Sequence, residues 1–134
     1  VNVLKYHPFL IKPNNHELGE IYGVTLKTQD EVIPYAKKLQ EEGARNVLIS
    51  MAGEGAVFIS EKGGVLKSPA PKGTVVNSVG AGDSMVAGFL TGYIESGGDD
   101  AKAFRMGLCT GSASAFSPNL ATKEEVEALL RQFN

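Results

Sequence analysis

The sequence predicts an α/β protein with a mainly parallel sheet flanked by helices, and three observations carry that expectation. Phe9-Leu10-Ile11 and Val47-Leu48-Ile49 are unbroken apolar runs rather than alternating ones, the pattern of short strands buried on both faces. Helical periodicities stand between and after them, so strands and helices alternate along the chain. Each run ends in a turn, Lys12-Pro13-Asn14 after the first and Ser50-Met51-Ala52-Gly53 after the second. Folds of this class take their ligands outside the carboxyl ends of such strands.

Pro13 stops a sheet ladder after the first strand. Asn14, with Glu17 three residues on, predicts a capped helix over 15–22 that Gly23 closes. Thr28-x-x-Glu31 is a capping box for a second helix, with Val32, Ile33, Ala36 and Leu39 inward and Gly43 as its stop. Pro34 removes an amide donor early in that helix, which predicts a bend or a late start. Beyond the strand at 47–49, residues 56–60, 65–67 and 74–76 read as short strands. Gly63-Gly64 and then Pro69, Pro71 and Gly73 separate them. A long helix ends near Gly97-Gly98, and a helix of small residues follows over about 100–116. Thr122-x-x-Glu125 caps a last helix with Val126, Leu129 and Leu130 inward.

A chain of 134 residues fits one domain and can bury a core. The net charge of −2, with no long basic run, argues against nucleic acid or an anionic membrane as partner. Cys109 stands alone, so no intrachain disulfide or multi-cysteine metal site can form, and a reducing, cytoplasmic setting is expected. It reads as a small buried residue rather than a reactive thiol. No stretch approaches the roughly 20 apolar residues of a membrane span, and no signal-peptide pattern occurs. The start at Val1 without Met leads us to expect a fragment.

The most informative stretch is Asn77-Ser-Val-Gly-Ala-Gly-Asp-Ser84. After it Met85, Val86, Phe89, Leu90, Tyr93 and Ile94 fall on one face of a helix. The first turn of that helix starts in Gly80-Ala81-Gly82, where amides have no intrahelical partner and the helix dipole adds positive charge. Glycine lets a bulky anion approach those amides. A carboxylate beside such a cradle, here Asp83, suits phosphoryl transfer to an alcohol: the amides hold charge and the acid accepts the hydroxyl proton. The alternative is a tight turn with Asp83 as a helix cap. A dinucleotide fingerprint is excluded, because Met85 stands where its third small residue belongs, and no Gly-x-x-x-x-Gly-Lys-Ser/Thr occurs.

The stretch from Asn77 to Leu90 resembles the C-terminal signature of the ribokinase-like (PfkB) carbohydrate kinases. Supporting stretches are Pro8-Phe-Leu-Ile-Lys-Pro-Asn-Asn-His-Glu-Leu-Gly19, Ser50-Met-Ala-Gly-Glu-Gly-Ala56 and Gly111-Ser-Ala-Ser-Ala-Phe-Ser117. They occur in the family's order over nearly the whole chain. The resemblance implies a ribokinase-like fold, with residues 1–134 forming the C-terminal nucleotide-binding and catalytic-base portion. It further implies that the N-terminal half, which in the family supplies most sugar contacts and the strand lid, is missing from this stretch. It also implies transfer of the ATP γ-phosphoryl group to the 6-hydroxyl of fructose 1-phosphate. Tagatose 6-phosphate or another sugar is the alternative substrate, and a non-catalytic nucleotide-binding module is the reading from a different class.

Under the same resemblance Asp83 is the base that meets the sugar hydroxyl, while Gly80, Ala81 and Gly82 offer amides to the transferring group. ATP is expected at Asn14, at the loop Ser50, Met51, Ala52, Gly53, Glu54 and Gly55, and at Gly82 and Thr110. Mg2+ is expected near Asn14 and, through water, Glu17. A homodimer is expected of the full-length enzyme and self-association of the fragment. Each assignment has a plainer counterpart. Asn14 and Glu17 can be a helix cap, 50–55 a hairpin turn with a solvated Glu54, and 111–115 a close-packed helix. Thr110 stands where the family has an Asn that contacts base or ribose. Asn77 stands where some members hold a monovalent cation with an Asp, so that cation site is not carried over. His7 and His16 form no ligand pair, and His16 reads as a surface residue.

Overall fold

The computed structural model describes residues 4, 6–51, 54–69, 81–115 and 123–131, and for 81–83, 114, 115 and 123 the backbone alone. The elements run β1 (Leu10–Ile11), α1 (Asn15–Tyr22), α2 (Gln29–Glu41), β2 (Asn46–Ser50), β3 (Ala56–Ile59), β4 (Val65–Ser68), α3 (Ala81–Glu95), α4 (Asp100–Ala115) and α5 (Lys123–Leu130). The chain separates into two compact units, Val1–Pro69 and Ala70–Asn134.

In the first unit the strands lie in the order β1-β2-β3-β4. β1 and β2 are parallel, with Leu10 opposite Asn46 and Ile11 opposite Val47, and a parallel bridge between Asn14 and Ser50 prolongs the pair. The other two pairings are antiparallel, so among the described strands the sheet is mixed rather than mainly parallel. Connection length decides this. Two helices lie between β1 and β2, room enough for a crossover, whereas β3 and β4 follow tight turns that can only send the chain back antiparallel. Those turns close with Met51 N–H to Gly55 O at 2.9 Å and Ser60 N–H to Gly64 O at 2.9 Å. The strand expected at 74–76 lies outside the described residues.

The unbroken apolar run of β2 is explained by burial on both sides, whereas Leu10 and Ile11 of β1 are only half-buried. Val47 and Ile49 of β2, with Val57 and Ile59 of β3, pack with Leu18, Leu26, Val32, Ala36 and Leu39 from α1, α2 and their connection. Leu48 and Phe58 are register partners on the opposite face and are equally buried. Each such side chain contributes about 1.5–3 kcal/mol when taken from water.

Two of the three predicted caps form as capping boxes, and Thr122 of the third lies outside the described residues. Asn14 Oδ1 accepts from Glu17 N–H at 2.7 Å while Glu17 Oε1 accepts from Asn14 N–H at 2.9 Å. Thr28 and Glu31 repeat the pattern at 3.1 and 2.9 Å. A further bond from Lys27 N–H to Glu31 at 3.0 Å helps hold the Glu31 carboxyl below its ordinary pKa, the backbone amides of Lys27 and Thr28 being the main cause. α2 starts directly at Gln29, not late as Pro34 suggested. Asp30, whose carbonyl the missing proline amide would have met, is exposed, as is Pro34 itself. Water can therefore satisfy that carbonyl.

Both ends of β3 are tied to α2 by glutamine side chains. Gln29 Nε2 donates to Glu54 O at 2.6 Å and Ser68 O at 2.8 Å, with Ala56 O at 3.5 Å. Gln40 Nε2 donates to Ser60 O at 3.1 Å and Arg45 O at 3.2 Å, with Ile59 O at 3.4 Å.

In the second unit α3 and α4 pack backbone to backbone. A Cβ at Gly88 would stand 2.5 Å from Thr110 Oγ1 and 2.9 Å from Met106 O; one at Gly107 would stand 2.8 Å from Met85 O. Gly92 is similarly tight against Ala103 Cα, at 3.1 Å. The buried face of α3 is therefore Met85, Gly88, Phe89 and Gly92. Leu90 and Ile94, expected inward, are 37% and 79% exposed. The glycines draw α4 onto their own side and turn part of the apolar stripe away from it. α5 joins α4 through Cys109, Ala113, Val126 and Leu129.

Candidate functional site

Within the first unit the carboxyl ends of β1 and β2 bring two predicted site segments together. Ser50 N–H donates to Pro13 O at 3.2 Å, and the Asn14–Ser50 bridge sets the start of α1 beside the start of the 51–55 turn. Glu54 N–H returns to Met51 O at 2.9 Å, and Gly55 has φ +87°, a left-handed conformation that favours glycine. Ala52 and Gly53 lie outside the described residues. Gly19, in the same motif as Asn14 and Glu17, is fixed by close approach: a Cβ there would meet Val24 O at 2.4 Å.

The Asn14–Glu17 pair is half engaged by the backbone. Asn14 Oδ1 and Glu17 Oε1 each accept an amide, while Glu17 remains exposed to solvent. An ion reached through water fits that geometry better than one gripped by both oxygens directly, and magnesium characteristically keeps several waters. Among the described residues no group of three His, Cys, Asp or Glu side chains is placed to hold a metal.

In the second unit α3 begins at Ala81, so its first three residues are Ala81, Gly82 and Asp83, as the sequence leads one to expect. Gly80 lies outside the described residues. Thr110 is half-buried, and its hydroxyl donates to Met106 O at 2.7 Å in its own helix, against Gly88. In this geometry it serves the α3–α4 contact. A depression of about 600 Å³ in this unit is lined by Glu95, Asp99, Lys102, Arg105 and Leu130 among others, at the end of α3 away from Asp83.

His16 is exposed, as expected, and His7 Nδ1 lies 3.1 Å from Gly43 O. Cys109 is fully buried, and burial pushes its thiol up to about 11. Glu61 receives the Asn46 side-chain amide at 2.9 Å and the Arg45 guanidinium at 3.1 Å. Those hydrogen bonds, Asn46's first, hold its carboxyl below the ordinary value. The residues that sequence reasoning missed are Gln29 and the glycines of α3 and α4. Their only signal is a pair of small residues one helical turn apart, at Gly88 and Gly92.

The sequence profile of the pfkB family carbohydrate kinases matches residues 2–127, and the chain belongs to that family. It is similar to the 1-phosphofructokinase of Bacillus subtilis (strain 168), with 52% identity over 123 residues that cover 92% of this chain and 40% of that protein. It is also similar to the D-tagatose-1-phosphate kinase of Bacillus licheniformis, with 37% identity over 98% of this chain and 43% of that protein. A crystal structure from Staphylococcus aureus, provisionally named a phosphofructokinase, superposes with a TM-score of 0.89 at 42% identity. It covers 97% of this chain and 42% of that one. The fold is thus the ribokinase-like α/β fold of these kinases, and the chain spans about two fifths of the length of the curated relatives it matches.

Proposed function

We propose that the full-length protein transfers the γ-phosphoryl group of ATP to the 6-hydroxyl of fructose 1-phosphate, and that this chain is its nucleotide-binding and catalytic-base part. The observation that supports this most is the start of α3 at Ala81, within Gly80-Ala-Gly-Asp83, in a chain 52% identical to a relative named 1-phosphofructokinase. The first amides of α3 have no intrahelical acceptor and lie at the positive end of its dipole. In this reading the Gly80, Ala81 and Gly82 amides stabilise charge on the moving phosphoryl group, and Asp83 accepts the hydroxyl proton.

In the same reading the turn 50–55 and Asn14 line the ATP phosphates, and the helix that carries Thr110 lies beside the adenine. Asn14 and Glu17 would orient hydrated Mg2+, which neutralises phosphate charge when bound. A cytoplasmic homodimer is the proposed form of the whole enzyme. The relative named D-tagatose-1-phosphate kinase favours a ketose phosphate of the tagatose series as the second reading, and parallel KM measurements on both sugars separate the two.

Asp83→Asn in the full-length enzyme tests the proposal. Asn keeps the size and can cap a helix, so a merely structural Asp83 predicts near-normal turnover. A positioned base predicts a kcat lower by about 10²–10⁴, with a melting temperature close to wild type. Retention of more than about a tenth of kcat by a folded variant rules out Asp83 as the base.

A further inference from the structure

We infer that Gln29 is a positioning residue for the nucleotide site, holding the Met51–Gly55 turn at a fixed angle to the sheet through its side-chain amide. The inference rests on the proposed reading of that turn as part of the ATP site. Glu54 N–H and Met51 N–H are satisfied inside the turn, by Met51 O and Gly55 O at 2.9 Å each. These bonds fix its shape but not its orientation. Glu54 O instead accepts from Gln29 Nε2 at 2.6 Å, the shortest of that nitrogen's contacts. The second hydrogen of the amide goes to Ser68 O at 2.8 Å.

Ala56 and Ser68 are register partners at the same end of β3 and β4. One amide therefore joins the turn to β4 and to the start of α2, where Gln29 is held in place by the Thr28–Glu31 box. Ser68 is also the last residue of β4 before the chain runs on to Gly80–Asp83. Gln40 provides an internal comparison. It makes the equivalent set of contacts at the other end of β3, on the carbonyls of Arg45, Ile59 and Ser60, which no proposed nucleotide contact adjoins.

The test uses the full-length enzyme with Gln29→Met and Gln40→Met, which keep length and lose the donors, and Ala52→Trp, which adds bulk to the turn itself. KM for ATP, KM for the sugar phosphate, kcat and melting temperature are measured for each. Gln29→Met is expected to raise KM for ATP on the order of tenfold, equivalent to about 1.4 kcal/mol, with KM for the sugar unmoved. Gln40→Met is expected to lower the melting temperature and leave KM for ATP in place. If Gln29→Met does not fold, Gln29→Asn, which withdraws the amide by one methylene, is expected to show the same split at smaller amplitude. A Gln29 variant that loses melting temperature alone, as Gln40→Met does, overturns the inference. If Ala52→Trp raises KM for ATP in that case, only the role of Gln29 fails. If Ala52→Trp also leaves it unchanged, the turn is no part of the ATP site and the reading beneath fails with it.

Discussion

Replacing Gly88 by Ala sets two effects of opposite sign against each other. Gly88 lies in the middle of α3, where alanine is intrinsically the better helix former by about 0.8–1.0 kcal/mol. Propensity alone therefore predicts stabilisation. The packing predicts the reverse, because the new methyl would lie 2.5 Å from Thr110 Oγ1, 2.7 Å from Thr110 Cβ and 2.9 Å from Met106 O. The last is backbone of α4, so no rotamer change relieves it and the helices must part. Overpacking of this kind costs about 1–3 kcal/mol, and loss of close contact along the seam, which Gly92 and Gly107 share, adds to it. We expect a net loss of about 1–2 kcal/mol, or roughly 4–8 °C in melting temperature for a domain of this size.

The assay is thermal unfolding with Gly64→Ala as a companion, since nothing lies within 4 Å of a Cβ there. That change should be neutral or slightly stabilising. Thr110→Ala in the Gly88→Ala background should recover only part of the loss, because Met106 O remains. A Gly88→Ala protein melting at or above wild type would refute the account of α3 and α4 as a glycine-set contact.

Glu17→Gln in the full-length enzyme should leave the melting temperature nearly unchanged, because glutamine can complete the same capping box. Its dependence on free magnesium should shift, and an unaltered magnesium titration removes Glu17 from the metal's surroundings. Glu61 has a folded pKa below its ordinary value, so the stability it contributes is present above that ordinary value. It is lost as pH falls through the lowered one. Glu61→Gln should therefore narrow the gap between denaturant midpoints at neutral and strongly acid pH, and an unchanged gap counts against the Asn46–Glu61–Arg45 cluster. Cys109, fully buried and with its thiol pushed up to about 11, should resist iodoacetamide at mildly alkaline pH until denaturant is added. Rapid native labelling would contradict its burial.

What the sequence showed clearly was local. The Asn14–Glu17 and Thr28–Glu31 boxes are three-residue relationships, and both form as read. The start of α3 inside the Gly-Ala-Gly segment is equally local. Direction of pairing was less legible: an apolar run says that a strand is buried, not which way its neighbour runs, and β3 and β4 proved antiparallel. The inward face of α3 was misjudged because counting apolar residues gives glycine no weight, yet Gly88 and Gly92 decide where α4 lies. Gln29 carried no signal, since a glutamine at a helix start looks the same whether it meets water or three carbonyls.

Gln29 and Gln40 are eleven residues apart, about three turns of helix, so both amides leave α2 on one side. The helix therefore works as a caliper set to the length of β3. Removing or adding one residue between them swings one jaw by about 100° and takes it off its carbonyls. The same change turns Val32 or Leu39, both buried in the core, toward solvent. Adding four residues brings the angle back to within about 40° but overshoots the strand by about 6 Å. Related chains should then vary in length in the connections at 23–27 and 61–64 and keep this span of α2 constant. Where one does lengthen β3, α2 should lengthen with it.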